Sequence, residues 1–312
     1  MTDGAPKTSG PPAPAARIVF WNLYEAALER RRGDDRRWRA QVAAVRALRP
    51  TVLLTTEGWH WRERGGALFE DACADFAMPG SLFPARTDCD MAVFRDPSVE
   101  LLETRELPFA QALWHGRGET LLGLPGWPGP LRFAVAHLDP FSTLHRRIEA
   151  DHLRDLADPQ APPLVLGIDA NTVPPGDPEP DWTRTPPHKR AHQTAPGDTD
   201  ADREPVARLL GPPEEPLLVD AGAHCGDRSP TYGHLGRDGA RRRIDLLLVS
   251  PPLLPHLADY RVVRALPQEA DAPPASDHHP VALTLVPRPG PPDRRSAPDP
   301  DRTTDGKEPQ PC

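Results

Sequence analysis

The chain predicts a layered α/β fold, and three observations carry that prediction. Short apolar runs of strand length recur between residues 17 and 286. The first two flank a helical segment, so the order is strand, helix, strand. Several of these runs also stop or start on a carboxylate, an amide or an imidazole.

Residues 17–22 (RIVFWN) read as a strand ending on Asn22. Residues 25–48 read as helical and broken near Gly33. Trp38, Val42, Val45 and Leu48 recur at helical spacing there, and Arg49-Pro50 closes the segment. A second strand, residues 51–56 (TVLLTT), ends on Glu57. Residues 66–83 predict a further helix with Leu68, Phe69, Cys73 and Phe76 apolar. Residues 91–94 (MAVF) predict a strand and residues 99–106 (VELLETRE) a partly exposed one. After the turn GLPGWPGP, residues 131–136 (LRFAVA) form a strand ending on His137, and a helix covers residues 142–156.

The run Leu164, Val165, Leu166, Gly167, Ile168 is a short buried strand, and Asn-Thr-Val-Pro-Pro-Gly cuts it off. Asp169 and Asn171 stand at its end, two apart, so alternation along an extended chain points them the same way. Residues 172–216 follow as a long loop rich in Pro, Asp, Thr and charge, with one helix near residues 201–210. A loop this long inside a compact domain is functional or disordered. Its His188-Lys189-Arg190 run reads as a solvated surface, with phosphate contact as the alternative. Residues 243–250 (RIDLLLVS) and 281–286 (VALTLV) are the last strands, the latter preceded by SDHHP.

Residues 1–16 and 287–312 are Pro-rich, polar and without apolar periodicity, so both are expected to be disordered tails. Residues 17–286 remain for one sizeable domain, near the size at which single cores stop growing, roughly 250–300 residues. A formal charge of −8 and a pI of about 5.8 exclude a global pull toward nucleic acid. An anionic substrate must then be handled locally, by a metal or by arginines. Arg146-Arg147 and Arg241-Arg242-Arg243 are candidates for that, although a solvated basic face is the commoner reading. No secretory signal and no apolar run approaching the ~18 residues of a membrane span is found, so a soluble, cytoplasmic protein is expected. No protein partner is readable. The four cysteines, Cys73, Cys89, Cys225 and Cys312, lack metal-site spacing and are expected to be reduced thiols.

Asn22, Glu57, His137, Asp169 and Asn171 mark carboxyl ends of apolar runs, whereas Asp245 and Asp277-His278 mark amino-terminal starts. If the second group runs antiparallel to the first in stacked sheets, all of them meet on one edge. Singly, each has a plain structural use. Asp169 and Asn171 suit a turn, His137 a core edge, Glu57 a strand terminus and Asp277 a cap before Pro280. Together they suit phosphoryl transfer with a hard divalent cation. Oxygen donors without a Cys/His cluster favour Mg²⁺ or Mn²⁺ over zinc, leaving the histidines for proton handling or oxyanion contact. Glu57 is placed to hold the metal, Asp169 to orient or deprotonate a water, and Asn22 and Asn171 to hold water and phosphate.

The ordered set Trp21-Asn22, LLTTE (residues 53–57), AHL (136–138), GIDAN (167–171), RIDLLLVS (243–250) and SDHHPV (276–281) resembles the endonuclease/exonuclease/phosphatase superfamily. That group includes DNase I, exonuclease III-type repair nucleases, inositol polyphosphate 5-phosphatases and neutral sphingomyelinases. The resemblance spans nearly all of residues 17–286. It implies a four-layered α/β sandwich of two packed mixed β-sheets flanked by helices, with the site at one edge of the sheets. It also implies roles. Glu57 matches the principal metal-binding glutamate, Asn22 the metal-shell asparagine and Asp277 a further metal-shell carboxylate. Asp169 matches the water-activating aspartate, with Asn171 beside it. His278 matches the histidine on the scissile phosphate, Asp245 its orienting aspartate, and His137 a histidine of proton transfer or phosphate contact. One departure is GIDAN where the family has GD-x-N, so that Ile168 separates Gly167 from Asp169.

The function implied is a Mg²⁺- or Mn²⁺-dependent phosphodiesterase or nuclease, with a phosphate-ester substrate that includes nucleic acid among its candidates. The alternative is a phosphomonoesterase on a small or lipid-borne phosphate, inositol phosphatase-like or sphingomyelinase-like. A catalytically inactive binding protein of the same fold is the third reading.

Overall fold

Among the described residues, twelve strands pair into two six-stranded sheets. The computed structural model describes residues 14–26, 28–105, 113–236, 240–267 and 272–288. The tails expected at 1–16 and 287–312 lie almost entirely outside these residues. In chain order the strands are β1 (Ala16–Asn22), β2 (Val52–Trp59), β3 (Gly80–Phe83), β4 (Cys89–Arg95), β5 (Glu100–Arg105), β6 (Gly116–Gly123), β7 (Leu131–His137), β8 (Leu164–Asp169), β9 (Val219–Asp220), β10 (Asp245–Val249), β11 (Leu257–Val262) and β12 (Val281–Leu285). One sheet has the order β11-β12-β1-β2-β4-β3, the other β5-β6-β7-β8-β10-β9. Both are mixed. β1 runs parallel to β2 and β7 parallel to β8, whereas β12 is antiparallel to β1 and β10 antiparallel to β8.

The inner faces of the sheets meet in one apolar cluster that includes Phe20, Leu54, Val93, Phe133, Val165 and Leu247. The outer face of the first sheet packs on helices α1 (Arg36–Leu48) and α2 (Glu63–Phe76) through residues such as Val19, Leu53, Trp38 and Phe76. The outer face of the second packs on α3 (Thr143–Leu153) and, beyond a short α4 (Pro187–Arg190), on α5 (Glu204–Leu210), through Leu166, Ile168, Ala150 and Val206. A further short helix, α6 (Ala221–Cys225), follows β9. Helices, sheet, sheet and helices make the four layers expected.

The period of two explains GIDAN. Gly167 faces the inter-sheet core, where a Cβ would come within 2.7 Å of Phe20 and 2.8 Å of Leu54. Ile168 turns to the helix side and is fully buried there. Asp169 therefore returns to the edge where the two sheets meet.

Several expectations are corrected. The helix placed over residues 66–83 is α2 followed by β3. Ala77, at φ +55°, ends the helix just before Met78-Pro79. Strands at β6, β9 and β11 were not expected. β6 carries three glycines and alternates charge with small residues, and Gly118 leaves room in it for the Phe83 ring of the other sheet. β9 has only two residues, and β11 is a bulged edge strand. The loop at 172–216 is neither structureless nor bare. Besides α4 and α5 it holds Val173, Trp182 and Ala201 in a small apolar cluster with Ala240.

Arg146 and Arg243 are not part of a solvated face, whereas Arg241 is exposed. Arg146 is fully buried and donates to the carbonyls of Asp139 and His192. Arg147 pairs with Asp202. Arg243, 2% exposed, donates to both oxygens of Asp177 and both of Asp220 at 2.7–2.9 Å. Arg243→Ala removes the cation shared by two buried carboxylates, leaving Asp177 with Arg228 and Asp220 with the Gly222 and Ala223 N–H groups, and is expected to cost ~3 kcal/mol. A chain of this size should then lose on the order of 10 °C in Tm, as a thermal unfolding scan would show. An unchanged Tm would mean that this cross-link contributes nothing net.

Candidate active site

Pairing register gathers the polar residues. Asp169 lies opposite His137 on β7 and opposite Asp245 on β10. Asn22 ends β1 beside Thr56, one residue before Glu57. Asp277 and His278 immediately precede β12, which is antiparallel to β1. All the predicted site residues thus stand at one edge of the two sheets.

Asn22 joins the sheets. Its Nδ2 donates to Glu57 Oε1 at 3.0 Å and to Asp169 Oδ2 at 2.9 Å, while its Oδ1 accepts from the Tyr24 N–H. The amide therefore shows its NH₂, not its oxygen, to the carboxylates. Glu57 Oε2 accepts from the Glu25 N–H at 2.9 Å. Glu57 does not follow the end of its strand as expected. β2 runs on to Trp59, with a register break between Thr55 and Gly58, and Glu57 sits in that bulge at φ +62°. A left-handed conformation at a non-glycine residue stores strain that surrounding contacts must hold. Here it re-aims a carboxylate into the site. Burial pushes the Glu57 carboxyl up to about 7, against the lowering effects of the Asn22 hydrogen bond and of nearby His278.

Alternation does not extend to Asn171. The strand ends at Asp169 and Asn171 is left-handed, at φ +46°. Its backbone N–H donates to Asp169 Oδ1 and its Nδ2 donates to the Leu138 carbonyl, both at 2.9 Å. Asn171 thereby fixes the rotamer of Asp169 and ties the turn to the end of β7.

His278 Nδ1 lies 2.8 Å from Asp245 Oδ2. Burial alone would depress this imidazole, but Asp245, Asp169 and Asp277 outweigh it and push the histidine up to about 10. The three carboxylates thus favour its protonated form. His137, with Nε2 3.5 Å from Asp169 Oδ2, lacks such a partner, and burial together with the nearby His278 lowers it to about 3. One edge thus carries a cationic and a neutral imidazole.

Supports that sequence reasoning missed are non-local. The Ser276 hydroxyl donates to the Asn22 carbonyl and accepts from the His278 N–H, and Trp21 Nε1 donates to the His278 carbonyl. Thr231 Oγ1 accepts from the Asp245 N–H. Ser276 and Trp21 lie within the ordered blocks, yet nothing in one sequence couples residues that far apart. Cys89 and His115 were also missed, and both are buried at the same edge.

The edge opens into a cavity of about 550 Å³. Glu57, Asp169, Asp277 and His278 lie on its floor, and Trp59, Trp114, Phe141 and Tyr232 contribute walls. Lys189 of α4 and Arg242 supply cationic groups at its border, with His188 beside them. The His188-Lys189-Arg190 run is therefore surface, but surface beside the site.

The residues present fit a hard divalent cation. Asp277 Oδ1 and Asp245 Oδ1 are buried without a hydrogen-bond partner among the described residues. Burial raises both of these carboxyls, and Glu57 and Asp169 add oxygens beside them. Such a crowd of buried carboxylates with orphaned lone pairs is what an oxygen-seeking cation relieves.

No protein-family model matches the sequence, and no curated protein matches it either. The three-dimensional comparison finds matches. An endonuclease/exonuclease/phosphatase family protein from Bacteroides thetaiotaomicron superposes with a TM-score of 0.60 at 16% identity, covering 88% of this chain and 98% of that one. Truncated Caenorhabditis elegans TDP2 gives 0.56 at 15% identity, with 87% and 97% covered. A mannosyl-6-phosphatase from Bacteroides thetaiotaomicron gives 0.57 at 17% identity, with 87% and 99% covered. Near-complete coverage on both sides, with the sheet order and the site edge already described, shows that this chain is built on the fold of the endonuclease/exonuclease/phosphatase superfamily.

Proposed function

We propose that the chain is a divalent-metal-dependent phosphoesterase that hydrolyses P–O bonds by in-line attack of water, and that it acts as a phosphodiesterase. The observation that carries this reading is Asn22 bridging Glu57 and Asp169 next to the His278–Asp245 pair. It unites candidate metal, water and phosphate groups at one edge. Glu57 and Asp277 would hold Mg²⁺ or Mn²⁺, with Asn22 ordering the carboxylates around it. When bound, that ion neutralises charge developing on phosphate oxygens.

The chain's own groups divide the remaining work. Asp169, fixed by the Asn171 N–H and by Asn22, accepts a proton from the attacking water. Cationic His278, with Nδ1 on Asp245, offers Nε2–H to a non-bridging oxygen and stabilises it as charge builds. His137, kept neutral, holds a proton beside Asp169. For a diester the products are an alcohol and a phosphate monoester, with one water consumed.

The cavity walls favour a second reading, a phosphomonoesterase on a compact ester. Aromatic walls, and α4 with its cations at the border, suit a small phosphate ester better than a duplex. A panel of plasmid, single-stranded oligonucleotide, bis-p-nitrophenyl phosphate, p-nitrophenyl phosphate, inositol phosphates and phospholipids, each with Mg²⁺ or EDTA, separates the two. Turnover of the diester above the monoester supports the first reading and the reverse order the second. No EDTA-sensitive turnover of any member would remove both. Glu57→Gln is expected to raise the Mg²⁺ concentration needed for half-maximal rate by about tenfold or more, because a ligand charge is lost. A Mg²⁺ titration of activity reads that shift directly.

A further inference from the structure

Cys89 begins β4, His115 precedes β6 and His137 ends β7, so no spacing in the sequence relates them. In the fold they form one buried group, whose sulfur and nearest imidazole nitrogens all lie within 4.8 Å of one another. Cys89 Sγ is 4.0 Å from His137 Nδ1. The other nitrogen of each imidazole already faces an oxygen. His115 Nδ1 is 2.8 Å from Thr87 Oγ1, and His137 Nε2 is 3.5 Å from Asp169 Oδ2. An independent observation marks the third corner. His115 Nε2 is buried with no hydrogen-bond partner among the described residues, in a residue only 5% exposed.

We propose that Cys89, His115 and His137 bind one Zn²⁺ ion, at a site distinct from the oxygen-rich one beside Glu57. The donor set is the reason. One sulfur and two imidazole nitrogens select zinc, whereas Mg²⁺ and Mn²⁺ favour oxygen. Metal-binding histidines place their second nitrogen on an oxygen partner, as Thr87 and Asp169 provide here. On binding, the Cys89 thiol gives its proton to solvent and its sulfur bonds the ion. The two rings, stacked with centroids 4.1 Å apart, must tilt so that the ion lies in both planes. Three protein ligands leave a fourth position for water, and all three residues border the cavity that holds Glu57 and Asp169. With its Nδ1 on zinc, His137 is confined to the tautomer that donates Nε2–H toward Asp169. Zinc occupancy thereby couples to the edge without using its oxygen ligands.

The full-length chain, stripped of metal and kept in excess Mg²⁺, is titrated with Co²⁺ as a spectroscopic stand-in. One equivalent should produce a near-ultraviolet sulfur-to-cobalt charge-transfer band and the visible bands of a four-coordinate site, and Zn²⁺ should bleach both. Cys89→Ser should abolish the near-ultraviolet band, while Cys225→Ser and Glu57→Gln should leave it. His115→Ala, checked by thermal unfolding for a folded chain, should weaken Zn²⁺ binding by at least about tenfold in an indicator competition. No band in the wild type, a band that survives Cys89→Ser, or unchanged affinity in folded His115→Ala would overturn the site. None of these readouts depends on turnover, so the zinc site and the phosphoesterase reading fail separately.

Discussion

Asp169→Asn is expected to lower kcat by roughly a hundredfold or more, about 2.7 kcal/mol of barrier, with little change in KM. The substitution keeps the shape of the side chain. Its remaining oxygen can keep either the Asn171 N–H or the Asn22 bond but not both, and the new NH₂ faces the other donor, so a small loss of stability accompanies the loss of rate. What it removes is the charge and the basicity at the one carboxylate held in place by two asparagines. Steady-state kinetics on whichever ester the wild type turns over, with thermal unfolding as a control on folding, measures this. A rate within a few fold of wild type would take Asp169 out of water activation.

His278→Ala is expected to cause a loss of similar size, again about a hundredfold or more in kcat. Its imidazole is held cationic by Asp245 and stands beside Asp169 and Asp277. Removing it deletes a donor aimed at the phosphate and leaves Asp245 without its hydrogen-bond partner. Asp245→Asn separates these effects. It keeps a side chain that can hold the ring but withdraws the charge that keeps it protonated, so an intermediate loss is expected. If His278→Ala behaves like wild type, the phosphate contact lies elsewhere.

Strand ends were legible because burial and chemistry change at the same residue. In RIVFWN, LRFAVA-His and LVLGI-Asp an apolar run meets a polar side chain that a core would reject. The antiparallel placement of Asp245 and Asp277-His278 followed from the same pattern, and the structure pairs β10 with β8 and β12 with β1 in that sense. Two details escaped because backbone conformation breaks the period of two. Glu57 lies in a bulge and Asn171 in a left-handed turn, and neither leaves a glycine behind as a marker. β6 escaped because its inward positions are set by a ring from the other sheet, a constraint absent from its own residues. The arginine runs misled for a related reason. Arg146 and Arg243 look like surface charge until the carbonyls and carboxylates that receive them are known. Cys89 and His115 share no local pattern, and only the closure of β4, β6 and β7 brings them to His137.

The most direct test of the central claim is the release of p-nitrophenolate from bis-p-nitrophenyl phosphate by the wild type and Asp169→Asn, assayed in parallel. Turnover should start on addition of Mg²⁺ to the wild type and stop with EDTA, and in Asp169→Asn it should proceed at about a hundredth of that rate or less. Turnover indifferent to EDTA, or equal in the two proteins, would contradict a metal-dependent phosphoesterase site built on Asn22, Glu57, Asp169 and His278.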